Sequence, residues 1–144
     1  MTMSSTVPAL DKSALLIVDM QVDFMHPDGA CGKMGFPDAG SPIVPAINKL
    51  LDSARTQDIP VVWIYANYSP DRTGPAFAKK MAAFPEPVCT TKWGRRLTEK
   101  LEAKEGECKI EKTCYNAFQD TDLATTLRSK GMDTVVVAGI LSAV

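Results

Sequence analysis

The chain has 144 residues, of which 45% are hydrophobic and 23% charged, a length and composition that fit one globular domain. A net charge of −1 and a pI near 5.8 provide no long-range field for nucleic acid or anionic lipid, so we expect neither as a partner. No apolar run approaches the roughly 20 residues that span a bilayer, and no signal peptide is recognisable, which predicts a soluble, cytoplasmic protein. We interpret residues 1–12 as a flexible tail and 13–144 as the domain.

The first predicted strand is the apolar run 14–18, which ends at a carboxylate, Asp19. An unbroken apolar run with branched residues fits a parallel strand that is covered on both faces. Ligands bind outside the carboxyl ends of such strands, which makes Asp19 a candidate for chemistry, although an aspartate there can also serve only to cap a turn. Asp23 and Phe24 follow as candidates to anchor or wall a small pocket.

A β-α-β unit comes next. Ser41 and Pro42 open a predicted helix that ends near Asp58, and 61–65 is a strand of branched and aromatic residues with Trp63 in the core. Two strands joined by a helix are expected to be parallel.

The middle of the chain is harder to interpret. Residues 67–91 hold several prolines around a predicted short helix at 75–84, and so long an excursion usually covers a site or a subunit contact. Residues 94–106 alternate charges with leucines and predict a short exposed helix.

The third predicted strand, 108–112, ends at Lys112, and a helix capped by Asp120 or Thr121 leads to a fourth strand at 134–138. The pattern predicts an α/β fold, a parallel sheet with helices on both faces in a three-layer, Rossmann-like sandwich. The apolar last strand and tail are abnormal for a terminus, from which we infer a chain that is incomplete, cleaved or completed by another chain.

Parallel topology gathers the ends of three strands, which bear Asp19, Lys112 and the turn 139–144. A carboxylate beside an ammonium can hold or shuttle a proton, and a turn after a strand offers backbone N–H groups to an oxyanion. What this constellation lacks is a nucleophile.

Three segments resemble the isochorismatase-like hydrolases, also called cysteine hydrolases: 15–24, 112–118 and 133–139. The resemblance implies a parallel sheet with helices on both faces, in which Asp19 and Lys112 are catalytic. The C-terminal strands and helices of that family are apparently lacking here. The family acts on small molecules and commonly forms oligomers, so we expect a small-molecule substrate and a homo-oligomer.

In the family a cysteine nucleophile follows the last turn, at the position directly after Val144. The implied reaction is hydrolysis of a C–N bond in a small amide, imide or ureido compound by an Asp-Lys-Cys triad. The Leu141–Ser142 peptide corresponds to one that is commonly cis. Implied oxyanion residues are Ser142, Ala143 and Val144, and implied substrate-binding residues are Gln21, Phe24, Tyr115, Leu141 and Ser142.

Metal chemistry is not expected. His26 is the only histidine and most simply a loop residue, although a ligand or general base is the other interpretation. The family's metal-binding amidases pair an aspartate with two histidines, which this chain lacks, so we predict no metal and no cofactor. The cysteines, which show no Cys-x-x-Cys spacing, are expected to be reduced: Cys31, Cys89, Cys108 and Cys114.

Four alternatives stay open. Cys114, two residues beyond Lys112, is a less favoured nucleophile. A phosphoryl-transfer domain also places an aspartate at a strand end, but Asp19-Met-Gln21 lacks the second acid that such domains use. The remaining two lie within the family: a catalytically inactive binding or assembly relative, and an enol-ether hydrolase of the isochorismatase type that uses the aspartate without a cysteine.

Overall fold

A computed structural model describes residues 10–36 and 40–140, and four strands in these ranges form one parallel sheet in the order β3-β2-β1-β4. The strands are β1 (Ser13–Val18), β2 (Val61–Ala66), β3 (Cys108–Lys112) and β4 (Thr134–Gly139). This arrangement confirms the predicted parallel α/β architecture. Because all four strands are parallel, their carboxyl ends lie along the same edge of the sheet.

All five α-helices of the described ranges lie in the connections between successive strands: three between β1 and β2, one between β2 and β3, and one between β3 and β4. They are α1 (Val22–Met25), α2 (Ala30–Lys33), α3 (Val44–Thr56), α4 (Pro75–Met81) and α5 (Leu123–Ser129), with single 3-10 turns at Leu10–Lys12 and Ser41–Ile43. The predicted helix from Ser41 thus begins as a 3-10 turn and becomes α-helical at Val44. None of the helices in the described ranges is long and apolar enough to cross a membrane.

Alternate residues of β1 enter two hydrophobic clusters on opposite faces of the sheet. Leu15 and Ile17 belong to the cluster that contains Leu51 of α3. Leu16 belongs to the other cluster, with Leu123 of α5. Burying each large aliphatic side chain stabilises the fold by roughly 1.5–3 kcal/mol, so both helices are held by the strand they cover. Helices therefore pack on both faces, as predicted.

The predicted helix at 94–106 is wrong, because this segment pairs its backbone with the loop after β1. The Val22 N–H donates to the Arg96 carbonyl at 2.9 Å, and the Thr98 N–H donates to the Met20 carbonyl at 2.9 Å. These bonds and an antiparallel bridge between Gln21 and Leu97 take the groups that an α-helix would need. The segment consequently braces the chain just beyond Asp19.

Strand β4 forms an exposed edge of the described sheet. No strand in the described ranges pairs with the outer edge of β4, and Val135, Val136 and Val137 are 40%, 45% and 64% exposed.

Residues 1–9 of the predicted tail and the turn 141–144 lie outside the described ranges.

Candidate active site

Asp19 lies directly after β1, where the backbone leaves the sheet. Its N–H still donates to the Ile64 carbonyl of β2 at 3.0 Å, but its φ is 59°, in the left-handed region that aspartate tolerates better than most residues. This turn directs the side chain along the carboxyl edge of the sheet, and only 8% of the residue is exposed.

Lys112 ends β3 and is 2% exposed. Its Nζ lies 3.1 Å from Asp19 Oδ2 and donates a hydrogen bond of 2.9 Å to the Tyr68 hydroxyl. Tyr68 follows β2, the strand between β1 and β3. Three adjacent strand ends thus supply one buried acid, one buried cation and one phenol.

Only half of the Asp19 carboxyl is hydrogen-bonded. Oδ2 faces the Lys112 ammonium, whereas Oδ1 is buried and has no hydrogen-bond partner in the described part of the chain. Burial raises the pKa of Asp19 above its ordinary value, and the Lys112 charge offsets only part of that increase. An unpaired carboxylate oxygen with a raised pKa is well placed to accept a proton from an incoming group.

The Tyr68 hydroxyl stays a neutral partner of Lys112. Burial, followed by the nearby Asp19 charge, raises the pKa of Tyr68 well above its usual range. The phenol therefore holds the ammonium by a hydrogen bond without neutralising it.

A cavity of about 980 Å³ opens onto the pair, and Asp19, Lys112 and Tyr68 all line it. Phe24 and Tyr115, both predicted to contact substrate, lie on its wall. The other lining residues are mainly apolar: Val18, Cys31, Lys33, Met34, Phe36, Met81, Phe84, Pro85, Glu86, Val88, Val137, Ala138, Gly139 and Ile140.

Gln21, the other predicted substrate contact in the described ranges, is placed elsewhere. It is fully buried, its amide nitrogen donates to the Ala66 and Arg95 carbonyls, and its amide oxygen accepts from the Ala66 N–H at 2.7 Å. Its side chain is not part of the cavity lining. Gln21 therefore links β2 to the segment that braces the Asp19 turn.

The carboxyl end of β4 reaches the same cavity. Gly139 has a φ of +154°, and a Cβ there would lie 2.1 Å from the Val18 carbonyl oxygen, so the close approach of β4 to β1 requires glycine. Ile140 lines the cavity beyond it. Leu141, Ser142, Ala143 and Val144 lie outside the described residues, as does the Leu141–Ser142 peptide bond.

Sequence analysis missed Tyr68 and Cys31 as cavity residues. Tyr68 follows the second strand by two residues, and that position at a carboxyl end was an available signal. Cys31, whose pKa is raised by burial and by Asp23, had none, because α2 is too short to predict from periodicity.

Asp23 anchors the cavity wall. Its Oδ1 accepts from the Ala30 N–H at 3.1 Å and its Oδ2 accepts from the Cys89 N–H at 2.7 Å. A Cβ on Gly94 would lie 2.1 Å from Asp23 Oδ2, so glycine is needed for the segment to approach the carboxylate. This buried carboxylate therefore ties the start of α2 to the loop that contains Cys89.

Neither Cys114 nor His26 is part of the cavity lining. The Cys114 thiol faces the Asn116 carbonyl and lines a separate, smaller cavity. His26 is exposed and packs edge-on against Trp93, with Asp28 near its Nδ1. Among the described residues no group of three or more potential ligands could hold a metal ion.

The isochorismatase domain model matches residues 13–144. The chain belongs to the isochorismatase family. It is 29% identical over 92% of its length to the ureidoacrylate amidohydrolase RutB of Methylobacterium radiotolerans, and 28% identical over 89% of its length to a probable inactive nicotinamidase of Arabidopsis thaliana.

Solved structures of the family share the fold. A cysteine hydrolase from Pseudomonas syringae matches 96% of this chain with a TM-score of 0.79 and 26% identity. An N-carbamoylsarcosine amidase from Thermoplasma acidophilum matches 89% with a TM-score of 0.73 and 26% identity. This isochorismatase-family chain spans 58% and 65% of the two curated relatives, and 66% and 67% of the two solved chains.

Proposed function

We propose that this protein is a hydrolase that cleaves a C–N bond of a small amide or ureido compound. The observation that carries the proposal is the buried Asp19–Lys112 pair, which lines a large cavity with Asp19 Oδ1 unpaired among the described residues. The relatives named for ureidoacrylate and N-carbamoylsarcosine hydrolysis support a C–N bond as the point of cleavage. Homo-oligomerisation and a cytoplasmic location remain part of the proposal.

In this proposal the nucleophile is a cysteine thiol at the position after Val144, and Asp19 Oδ1 takes its proton. The thiolate attacks the substrate carbonyl, backbone amides of Ser142, Ala143 and Val144 hold the oxyanion, and the C–N bond breaks as Asp19 returns the proton to the leaving nitrogen. Water then attacks the thioester formed from an amide, or the thiocarbamate formed from a ureide, while giving a proton to Asp19. The carboxylic or carbamic acid leaves, and that proton restores the thiol.

In the proposal, the positive charge of Lys112 stabilises the thiolate and so lowers the pKa of the thiol. Lowering a thiol pKa from ~8.5 to near neutrality requires about 2 kcal/mol, which a neighbouring ammonium in a dry cavity can provide. Lys112 is 2% exposed and hydrogen-bonded to Tyr68, so solvent screens its charge little. Substrate contacts by Phe24, Tyr115, Leu141 and Ser142 belong to the same proposal, whereas the placement of Gln21 favours a structural role for that residue.

The test is ammonia or amine release from ureidoacrylate, N-carbamoylsarcosine and simple amides by the full-length protein. Asp19→Asn and Lys112→Met should each remove turnover. Asp11→Asn and Lys109→Met, at exposed positions, are the matched controls and should retain it. Active Asp19→Asn protein would overturn the proposal.

Trapping the acyl-enzyme and mapping the modified thiol by mass spectrometry tests the nucleophile. Acylation should fall on the cysteine after Val144. Acylation of Cys114 or Cys31 would contradict the assigned nucleophile.

The raised pKa of Asp19 also favours a second candidate, an enol-ether hydrolase in which the protonated carboxyl donates to the substrate without a thiol. Release of pyruvate from isochorismate, lost in Asp19→Asn and insensitive to thiol alkylation, would identify it. The name of the Arabidopsis relative supports an inactive binding protein as a further alternative, which predicts ligand binding with no turnover of any of these compounds.

A further inference from the structure

The chain leaves the sheet at Asp19, and a side chain two residues further on takes its place beside β2. Register pairs β1 with β2 as far as Val18 opposite Ile64, and β2 continues to Ala66. The Ile64 carbonyl accepts from the Asp19 N–H, and the polar groups of Ala66 face the same side, because alternate residues of a strand direct their backbone groups to the same neighbour. Gln21 Oε1 accepts from the Ala66 N–H at 2.7 Å and Nε2 donates to the Ala66 carbonyl at 2.9 Å. The Gln21 amide therefore continues the ladder in place of β1.

A third hydrogen bond ties this amide to the segment that braces the turn. Gln21 Nε2 also donates to the Arg95 carbonyl at 3.0 Å, and the residue is 0% exposed. The Gln21 backbone N–H donates to the Asp19 carbonyl at 2.8 Å, next to the left-handed φ of 59° at Asp19. A left-handed conformation at a residue other than glycine persists only where its surroundings impose it. The bonds of this buried amide contribute that constraint.

The residue of β2 that Gln21 holds is also the one that is paired with Lys112. Register places Ala66 of β2 opposite Lys112 of β3, and the Asn67 N–H donates to the Lys112 carbonyl at 2.9 Å. The Lys112 ammonium in turn lies 3.1 Å from Asp19 Oδ2. Because β2 separates the strands that carry the acid and the cation, the distance between these two groups depends on how the Asp19 turn is attached to the end of β2.

We propose that Gln21 is a positioning residue for catalysis: its amide attaches the Asp19 turn to the strand position paired with Lys112 and thereby sets the separation of the two charged groups. This inference rests on the proposed function, since it treats the pair as catalytic. Gln21 acts through Asp19 and does not itself contact substrate. Its structural role therefore extends to the geometry of the reacting groups.

Gln21→Met tests the inference, because it removes all three side-chain hydrogen bonds and keeps a similar side-chain length. In amide hydrolysis by the full-length protein, kcat should fall about 10–100-fold, since a displacement on the order of 1 Å can cost about 10²-fold in rate. KM should stay close to the wild-type value, because the side chain does not bind substrate. A wild-type kcat in Gln21→Met would overturn the inference.

Leu51→Ala is the matched control for a loss of stability alone. Leu51 is 0% exposed in the hydrophobic cluster that contains Ile17 of β1, and its truncation should lower stability but leave the kcat of the folded protein unchanged. Urea denaturation identifies the conditions under which each variant is folded. An equal loss of kcat in Leu51→Ala and Gln21→Met would overturn the inference, because loss of stability alone would then explain both.

Gln21→Glu is a second variant with a smaller change. Its carboxyl can still accept from the Ala66 N–H but cannot donate to both the Ala66 and Arg95 carbonyls. The kcat of this variant should also fall, with KM again close to the wild-type value. Loss of stability in Gln21→Glu with an unchanged kcat would contradict a positioning role.

Crystal structures of the wild type and of Gln21→Met separate this inference from the proposed function. The distance from Asp19 Oδ2 to Lys112 Nζ should increase in the variant beyond about 4 Å, the limit for an ion pair. An unchanged distance would overturn the inference whether or not the protein hydrolyses amides. Amide hydrolysis with a wild-type kcat in Gln21→Met would refute the inference and leave the proposed function standing. A longer distance in a protein that hydrolyses no amide would refute the proposed function and leave the placement of Asp19 by Gln21 standing.

Discussion

Two ion pairs in this molecule have opposite hydrogen-bonding environments. Glu107 accepts from Arg55 Nε at 2.7 Å and Nη2 at 3.1 Å, from Trp63 Nε1 at 2.7 Å and from the Lys104 N–H at 2.9 Å, so both of its oxygens are bonded. Within the described part of the chain, the Asp19 side chain has only Lys112 as a partner, and its Oδ1 has none.

The pKa shifts of the two carboxyl groups differ in sign. Burial alone would raise the pKa of Glu107, but hydrogen bonds from Arg55, Trp63 and Lys104 outweigh it and lower the pKa. For Asp19 burial prevails over the Lys112 charge and the pKa is raised. A carboxylate with both oxygens hydrogen-bonded stabilises the fold as an anion. A carboxylate with one unpaired oxygen and a raised pKa can still take up a proton.

The largest expected effect is on catalysis. Asp19→Asn should lower kcat by about 10²–10⁴-fold, because the amide cannot act as the base. Circular dichroism should show a folded protein, since asparagine accepts the left-handed backbone and its amide oxygen can still accept from Lys112. Glu107→Gln should leave kcat unchanged. A comparable loss of kcat in both variants would contradict the assignment of a catalytic role to Asp19 and a structural role to Glu107.

Lys112→Met should have the largest effect on folding. The change leaves a buried carboxylate without its cation, and the free energy of unfolding should fall by about 3–5 kcal/mol. Urea denaturation measures this loss. Adding Asp19→Asn to Lys112→Met should recover part of the stability, and a purely additive double variant would show that the two residues are not coupled.

Glu107→Gln should cost less, about 1–3 kcal/mol in the same denaturation measurement, because a charge-assisted network is weakened but Arg55 can still reach solvent. Trp63→Phe removes one donor from this network and should cost less again. A larger effect for Trp63→Phe than for Glu107→Gln would mean that packing, and not the ion pair, dominates this region.

The smallest expected effect is the pH dependence of stability, which should have opposite sign for the two acids. The raised pKa of Asp19 means that its contribution is fully present below an unfolded value of ~3.9 and is lost as pH rises through the folded pKa. The lowered pKa of Glu107 means that its contribution is present above ~4.3 and is lost as pH falls through the folded pKa.

Chemical denaturation across this acidic range, for the wild type and for Asp19→Asn and Glu107→Gln, should therefore give two difference curves of opposite slope. Parallel curves would contradict the contrast between the carboxyl groups.

The strands were predictable because each is a short apolar or branched run whose burial requires cover, as in β1, β2 and β4. The proximity of Asp19 and Lys112 was predictable because parallel topology places strand ends together. A helix is predicted at 94–106 because the leucines of this segment have helical spacing. The prediction is wrong because the backbone of the segment pairs with the loop that contains Met20 and Val22. Local periodicity carries no information about such distant pairing.

The cavity wall was also beyond prediction from the sequence. Phe84 and Val88 lie among prolines in a region without periodicity, and only the folded chain brings them near Phe24. Tyr68 was predictable, since it lies two residues beyond the end of β2 and parallel topology brings that end beside the ends of β1 and β3.

The position of β3 at one edge of the described sheet bears on how the protein would lose activity. Lys112 is held by a strand with a single neighbour, whereas Asp19 follows a strand flanked on both sides. Edge strands open at lower free-energy cost than central ones, so amide hydrogen exchange in β3 should be faster than in β1. Inactivation on gentle heating should accordingly precede loss of the helical signal, since fraying of one strand separates the cation from its acid while the rest of the sheet persists.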